Sequence, residues 1–201
     1  ACMRSDDLDF RLPPELIAQV PPSDRSSAKL LHYRSEDQSI AHRQFSDLPS
    51  LLGPGDLLVF NDSKVIPARF TLQKDTGGKI EGLFIDIEPE GAWRVLLRNP
   101  GKFEGSVSLR FADEPDLEAV VSRHPAEGEY RMQVKSGDPA PAILSRIGRM
   151  PLPPYIKRGK DHDPLDDLDR QRYQTVYAAN EGSIAAPTAG LHFTTEILAQ
   201  L

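Results

Sequence analysis

The apolar positions of this 201-residue chain change their period twice, and those changes divide it. Up to about residue 67 the pattern is mixed. Leu12-Pro-Pro-Glu-Leu-Ile-Ala-Gln has prolines where a first helical turn tolerates them and predicts a short helix. Strands are predicted over 30–34 and 40–45, and a short helix over 46–52. After the Gly53-Pro-Gly turn, Asp56-Leu-Leu-Val-Phe is a compact apolar run of the kind a buried strand shows. From Ala68 to about Lys135 a period of two takes over. It predicts strands over 69–73, 79–87, 93–98, 106–111, 117–122 and 130–135, separated by Gly, Asp, Pro and Glu turns. Such spacing points to a small barrel or sandwich, with Trp93 as a core anchor. Helical spacing returns over 141–147 and stops at Gly148. Residues 163–178 predict a longer helix, with Asp163 as N-cap and Pro164 at the first helical position. A strand over 183–187 and a final helix capped by Thr194 complete the pattern.

The fold class that follows is an α/β domain, a mixed sheet with helices, interrupted by an inserted small antiparallel β-barrel. The α/β domain comprises residues 1–67 plus 148–201, and the barrel residues 68–147; the two flanking segments should pack together. The last helix reaches Leu201 without a C-cap signal, so the α/β domain is expected to continue beyond it.

Composition narrows the function. No apolar run approaches the ~20 residues that cross a bilayer, and the N-terminus lacks a secretory apolar stretch. Cys2 is the only cysteine, which excludes a disulfide framework and a cysteine-based metal site within the chain and fits a cytoplasmic setting. Lys and Arg number 24 against 30 Asp and Glu, a net charge of −6, which argues against a general nucleic-acid coat. One segment departs from this balance. Arg146, Arg149, Lys157, Arg158 and Lys160 follow one another with no acid between them, either as a local phosphate-binding strip or as a solvated loop.

Three constellations can carry chemistry. Asn61, Asp62, Ser63 and Lys64 stand at the carboxyl end of the predicted 56–60 strand, where open α/β sheets bind ligands. Asn61 and Asp62 suit ribose hydroxyls, Asp62 also suits a base, and Lys64 and Arg69 suit a carboxylate or phosphate; an ordinary Asn-Asp turn is the plain alternative. Met150-Pro-Leu-Pro-Pro-Tyr-Ile-Lys-Arg is a rigid extended segment ending in two cations, fit to track an RNA backbone, to serve as a proline-rich protein ligand, or simply to cross between domains. Tyr173 and Tyr177, four apart on the predicted helix, are either core or a platform for a base or a sulfonium cation. In the third constellation, Pro187-Thr-Ala-Gly-Leu-His-Phe-Thr, small residues between strand and helix permit close backbone approach to a ligand, and His192 suits an acid or base.

Taken in order, Asp7-Leu-Asp-Phe-Arg-Leu-Pro-Pro, Gly53-Pro-Gly-Asp-Leu-Leu-Val-Phe-Asn-Asp-Ser-Lys-Val-Ile-Pro-Ala-Arg, Met150-Pro-Leu-Pro-Pro-Tyr-Ile-Lys-Arg, Arg172-Tyr-Gln-Thr-Val-Tyr-Ala and Ala185-Ala-Pro-Thr-Ala-Gly-Leu-His-Phe-Thr resemble the S-adenosylmethionine:tRNA ribosyltransferase-isomerase family. The resemblance implies an α/β domain with an inserted barrel in the N-terminal portion of a longer protein. It implies transfer of the ribosyl group of S-adenosylmethionine to a 7-aminomethyl-7-deazaguanine at the tRNA wobble position, giving epoxyqueuosine and releasing adenine and methionine. S-adenosylmethionine is then a substrate, with no further cofactor and no metal. The expected partners are S-adenosylmethionine and the tRNA anticodon stem-loop, with no membrane and a monomeric protein. On the matching residues, Asp62 and His192 are the catalytic candidates, with acid and base unassigned. Asn61, Lys64, Arg69, Tyr173, Pro187, Thr188, Phe193 and Thr194 are the substrate-binding candidates. Asn61 and Thr188 are assigned to ribose or adenine, Arg69 to the methionine carboxylate, and Tyr173 or Phe193 to stacking. Arg149, Lys157 and Arg158 are the RNA-phosphate candidates. A non-catalytic RNA-binding module, and an inactive fragment of that enzyme, are the competing readings.

Overall fold

The computed structural model describes residues 4–159 and 163–201. Its first strands, β1 (Lys29–Arg34) and β2 (Ser39–Gln44), form an antiparallel hairpin, followed by the single-turn helix α1 (Leu48–Leu51). Strand β3 (Ser63–Val65) leads into β4 (Arg69–Gln73), β5 (Lys79–Ile87), β6 (Trp93–Arg98), β7 (Ser106–Phe111), β8 (Glu118–Arg123) and β9 (Glu129–Val134). Helix α2 (Ala140–Ile147) follows, then α3 (Asp166–Arg172), β10 (Asn180–Ser183) and α4 (Thr195–Gln200).

Strands β4 to β9 close into a barrel in the order β4-β5-β6-β9-β8-β7. Closure removes the free edges that a six-stranded open sheet would expose. The inward positions are apolar at alternate residues: Phe70 and Leu72, Ile80 and Phe84, Trp93 and Val95, Leu109 and Phe111, Ala119 and Val121, Tyr130 and Met132. Trp93 is the anchor that its setting predicts, with edge-on contacts to Phe70 at 6.1 Å and to Phe84 at 5.2 Å. Helix α2 adds Ala140, Ile143, Leu144 and Ile147 to the same core. Phe70 faces Gly82 across the β4–β5 ladder, and a Cβ at position 82 would sit 2.2 Å from its ring.

The flanking segments meet beside the barrel. Phe45 and Phe193 pack edge to face at 4.9 Å, joined in one cluster by Ile197. Strand β10 runs parallel to β3, pairing Asn180 with Ser63 and Glu181 with Lys64. The result is a mixed α/β protein with an inserted barrel, as expected, but several elements differ from their prediction. The 56–60 run is no strand: its backbone joins no ladder among the described residues, and Leu57 and Val59 are 86% and 85% exposed. Leu58 and Phe60 are covered more, and Phe60 rests on Tyr177 at 5.0 Å and Phe193 at 5.1 Å. An apolar run says that a segment suits burial on both faces; it does not supply the neighbouring strand. The two small sheets therefore remain two-stranded.

The N-terminal helix shrinks to a 3-10 turn over Pro14–Leu16. The 163–178 helix shrinks to α3, which ends before Tyr173 because the chain's own polar groups compete for its next bonds. Arg25 takes the carbonyls of Gln171 and Gln174, which a further helical turn would use; the Gln174 side chain separately bonds the backbone of Val65 at both N–H and C=O. Tyr173 and Tyr177 consequently do not share a helix face. The predicted 183–187 strand is displaced to β10.

The chain enters β4 just after Pro67, and it leaves α2 at Gly148. Arg69 and Arg149 bond each other's backbones there at 3.0 and 2.7 Å. A Cβ on residue 148 would lie 1.9 Å from the Pro67 carbonyl oxygen and 2.3 Å from that of Leu144. Both obstacles are backbone, so Gly148→Ala is expected to cost roughly 2–3 kcal/mol, read as a lower urea midpoint. A loss below about 0.5 kcal/mol would contradict this packing.

Candidate functional site

A hollow of about 280 Å³ lies where the N-terminal segment, the proline-rich loop, α3 and the 188–192 turn converge. Val20, Pro21, Leu152, Ile156, Tyr173 and Leu191 supply apolar walls, while Thr188, His192 and the Arg158–Asp169 pair supply polar groups. A mostly apolar concavity with a few convergent polar groups is the usual form of a small-molecule site. Among the described residues no group of three or more His, Cys, Asp or Glu is placed to hold a metal ion, and no helix is long and apolar enough to cross a membrane.

The floor of the hollow is electrostatic. Arg158 donates from Nε and Nη2 to the two carboxylate oxygens of Asp169 at 2.6 and 2.8 Å, and from Nη1 to the Lys157 carbonyl at 2.9 Å. The two side chains are only 6% and 7% exposed. The hydrogen bonds from Asp169 hold the Arg158 pKa above its ordinary value. Sequence reasoning placed Arg158 on an RNA phosphate; the structure turns it inward, because the bidentate fit to Asp169 uses the same fork a phosphate would need. The proline-rich loop also departs from the extended form expected of it. Ile156 N–H donates to the Pro153 carbonyl at 3.0 Å, closing a turn with Pro154 in the position that favours it. Gln19 straps this turn down, donating to the Tyr155 carbonyl at 3.1 Å and accepting from Lys157 N–H at 2.7 Å.

The other cations of that segment are partly spoken for. Arg146 pairs with Glu114 and Asp138. Arg149 donates to Thr71 inside a half-buried setting. Lys157 is exposed. Lys160 lies outside the described residues.

His192 and Thr188 belong to a 3-10 turn that Pro187 opens. The imidazole sits 5.3 Å from the Phe45 ring. Burial, and after it the nearby Arg25 guanidinium, hold the His192 pKa below its ordinary value, so the neutral ring is favoured. Burial likewise raises the Tyr173 hydroxyl pKa, with the Ala186 backbone N–H partly opposing the shift. Phe193 is a core side chain, and Thr194 accepts from Ile197 N–H at 3.3 Å as the cap of α4. These two residues hold the turn in place and are not among the residues that line the hollow.

The Asn61–Lys64 group stands elsewhere, at the open end of β3. Asn61 accepts from Ser63 N–H at 2.9 Å, an Asx turn, and Asp62 accepts from the Asn180 amide at 2.8 Å. Lys64 pairs with Glu181 at 2.9 Å in the exposed register of the β3–β10 ladder. Arg69 borders a separate hollow of about 430 Å³ with Glu81, Arg98 and Ile184. The structure thus brings Tyr173, Thr188, His192 and Arg158 together, and sets Asn61, Asp62, Lys64 and Arg69 outside that hollow. Sequence reasoning missed Gln19, Arg25 and Asp169. Asp169 was one acid among several that suited a helix dipole, and Gln19 and Arg25 work through backbone carbonyls that no motif marks.

An α/β protein that carries its small-molecule hollow beside an inserted barrel is the class these features define. The family model described as queuosine biosynthesis protein matches residues 5–201, and the chain belongs to that family. The S-adenosylmethionine:tRNA ribosyltransferase-isomerase of Anaeromyxobacter sp. (strain Fw109-5) is 47% identical over 205 residues, covering 99% of this chain and 56% of that protein. The protein of the same name from Aquifex aeolicus (strain VF5) is 40% identical over 199 residues, covering 99% and 57%. A crystal structure of S-adenosylmethionine tRNA ribosyltransferase from Thermotoga maritima is 32% identical, covering 96% of this chain and 52% of that one, with a TM-score of 0.34. The chain spans a little over half the length of the curated relatives it matches.

Two outcomes follow from the site's electrostatics. Arg158→Ala leaves Asp169 as a buried, unpaired charge and is expected to cost about 3–5 kcal/mol of stability; a purely phosphate-binding Arg158 would leave the urea midpoint unchanged. For His192, the unfolded chain binds the proton more readily than the folded one. Its stabilising contribution is complete above about pH 6.5 and is lost as pH falls through the lower folded value. His192→Gln should therefore flatten the loss of stability between about pH 7 and pH 5. An unchanged slope would mean that the ring is not held neutral by the fold.

Proposed function

We propose that this chain is the donor-binding part of an S-adenosylmethionine:tRNA ribosyltransferase-isomerase. In the proposed reaction the ribosyl group of S-adenosylmethionine passes to the aminomethyl group of a 7-deazaguanine at the wobble position of tRNA. Rearrangement then gives the epoxycyclopentane of epoxyqueuosine, with adenine and methionine released. The observation that carries the reading is family membership across residues 5–201 together with relatives of that name at up to 47% identity. The hollow supports it chemically: neutral walls suit a purine, and Thr188 can bond a base edge or a ribose hydroxyl.

The residue chemistry assigns work within this proposal. A sulfonium acidifies the adjacent C5′ hydrogen, and a neutral imidazole is ready to accept that proton, so His192 is the base in this reading. Asp62, fixed by Asn180 just before β3 and outside the hollow, is kept as the second proton-transfer candidate on its residue type and family match alone. Asn61 and Lys64, beside the exposed end of β3, and Arg69, in the separate hollow, stand apart from this hollow and are given no contact with the nucleoside. Tyr173 lines the purine slot and Pro187 opens the turn that carries Thr188. Lys157, at the exposed end of the Gln19-strapped turn, takes an anticodon-stem phosphate; Arg149, half-buried against Thr71, is the second phosphate candidate. Arg158 holds the pocket through Asp169 instead. Residues 68–147 act as one barrel domain, which the shared core of α2 and the strands supports. The cytoplasm, where tRNA and S-adenosylmethionine meet, is the proposed setting.

The test is adenine release from S-adenosylmethionine by the longer protein, with tRNA that carries the aminomethyl-deazaguanine base. His192→Ala and Asp62→Asn are each expected to lower turnover by roughly 10²–10⁴-fold, with little change in fold. Wild-type turnover in both variants would remove them from the chemistry, and absence of tRNA-dependent adenine release in the unmodified protein would end the reading itself.

A further inference from the structure

The candidate residues sit on three segments far apart in sequence: β3, the end of α3, and the 188–192 turn. One side chain touches the last two directly and reaches the first through an intermediary. Arg25 lies in a 3-10 turn over Arg25–Ser27, aimed by Asp24, whose side chain accepts from Ser26 N–H. Its Nη1 donates to the carbonyls of Gln174 at 2.7 Å and Leu191 at 3.1 Å, and its Nη2 to that of Gln171 at 2.9 Å. Gln171 and Gln174 flank the C-terminus of α3, where carbonyls lack helical partners and a cation is favoured. Leu191 immediately precedes His192. The Gln174 side chain in turn accepts from Val65 N–H at 3.0 Å and donates to the Val65 carbonyl at 3.1 Å, occupying the ladder position a neighbouring strand would take on β3.

We propose that Arg25 is a positioning residue for the site: its guanidinium clasps the α3 terminus to the 188–192 turn and fixes where His192 and Thr188 stand over the hollow. Part of this rests on the reading of the site given under Proposed function. A planar guanidinium is the one side chain that can serve these carbonyls at once, because its donors diverge in a fixed fork. A lysine supplies the charge from one point and cannot span them. The charge matters because the other groups around His192 leave the cation uncompensated. From α3 come Asp169, Arg172 and Tyr173, and from the proline-rich loop Arg158 and Tyr155. Asp169 is consumed by Arg158, and Arg172 donates to the Ser23 and Pro22 carbonyls. On another side the ring packs against Phe45 at 5.3 Å, which carries no charge. Burial and the Arg25 charge both push the His192 pKa down, burial the more.

The test compares Arg25→Lys and Arg25→Gln in the full 201-residue chain. One readout is the NMR titration of the His192 imidazole, and the other is amide exchange at Gly190 and Phe193, whose N–H groups bond the Pro187 and Gly190 carbonyls within the turn. Barrel amides report that the fold is intact. Both variants should lose at least tenfold of the protection at Gly190 and Phe193 with barrel protection unchanged. The His192 midpoint should rise in Arg25→Gln and stay near wild type in Arg25→Lys. Unchanged protection in either variant, or an unmoved His192 midpoint in Arg25→Gln, overturns the proposal. If Arg25→Gln does not fold, the Lys variant decides alone: lost turn protection over an intact barrel supports the clasp, and retained protection overturns it. Neither readout requires turnover, so a failure here is distinct from a failure of tRNA-dependent adenine release, which would sink the enzymatic reading and leave the clasp standing.

Discussion

Everything on the carboxyl side of the barrel depends on one crossing point. The chain enters the barrel past Pro67 and must come back beside it, and the Arg69–Arg149 backbone pairing fixes the separation of the two crossings. The room for that pairing exists only because residue 148 has no Cβ. The crossing sets the start of the proline-rich segment, and thereby where Arg158 meets Asp169 and where α3 lies. Arg170 extends the same junction, donating to the Gly148 carbonyl at 2.7 Å. An inserted closed barrel is in this sense a rigid spacer. Its core is shared by the six strands and α2, and it delivers the returning chain to a defined place.

The second half of the architecture is held more by polar contacts than by apolar area. The clusters around Val65 and around Phe45 are small beside the barrel core. Arginines make up the difference: Arg25, Arg158, Arg170 and Arg172 each fasten one segment to another, three of them wholly through carbonyls at helix or turn ends. Such contacts are directional, and they satisfy carbonyls that would otherwise stand unpaired beside the hollow. One of these arginines, Arg25, also lies close enough to His192 to oppose its protonation, after the larger effect of burial.

The barrel was legible in the sequence almost strand for strand, because period-two alternation and turn residues are local signals and a closed barrel supplies every neighbour its strands need. The region from 56 to 62 was not. Its apolar run correctly marks a segment suited to burial, but pairing is a property of two segments, and Leu57 and Val59 remain exposed. The 163–178 helix was overextended for a related reason: Arg25 takes the Gln171 and Gln174 carbonyls that a further turn would use, and it acts across more than 100 residues. The site was half legible. Thr188, His192 and Tyr173, singled out from residue type and setting, line the hollow, whereas Arg158 was given to RNA because nothing local to it revealed a partner in Asp169. The two catalytic candidates are set apart: Asp62 lies just before β3, and His192 lies in a 3-10 turn beyond β10.

The central claim is that the hollow between the N-terminal segment, the proline-rich turn and the 188–192 turn receives the nucleoside end of S-adenosylmethionine. Titrating S-adenosylmethionine into the ¹⁵N-labelled chain and following backbone amide shifts tests it most directly. The account predicts saturable shifts at Val20, Ile156, Thr188, Leu191 and His192, with the barrel strands unmoved. Shifts confined to the barrel-side hollow around Arg69, Glu81 and Arg98, or none at any of the lining residues at saturating ligand, would contradict it.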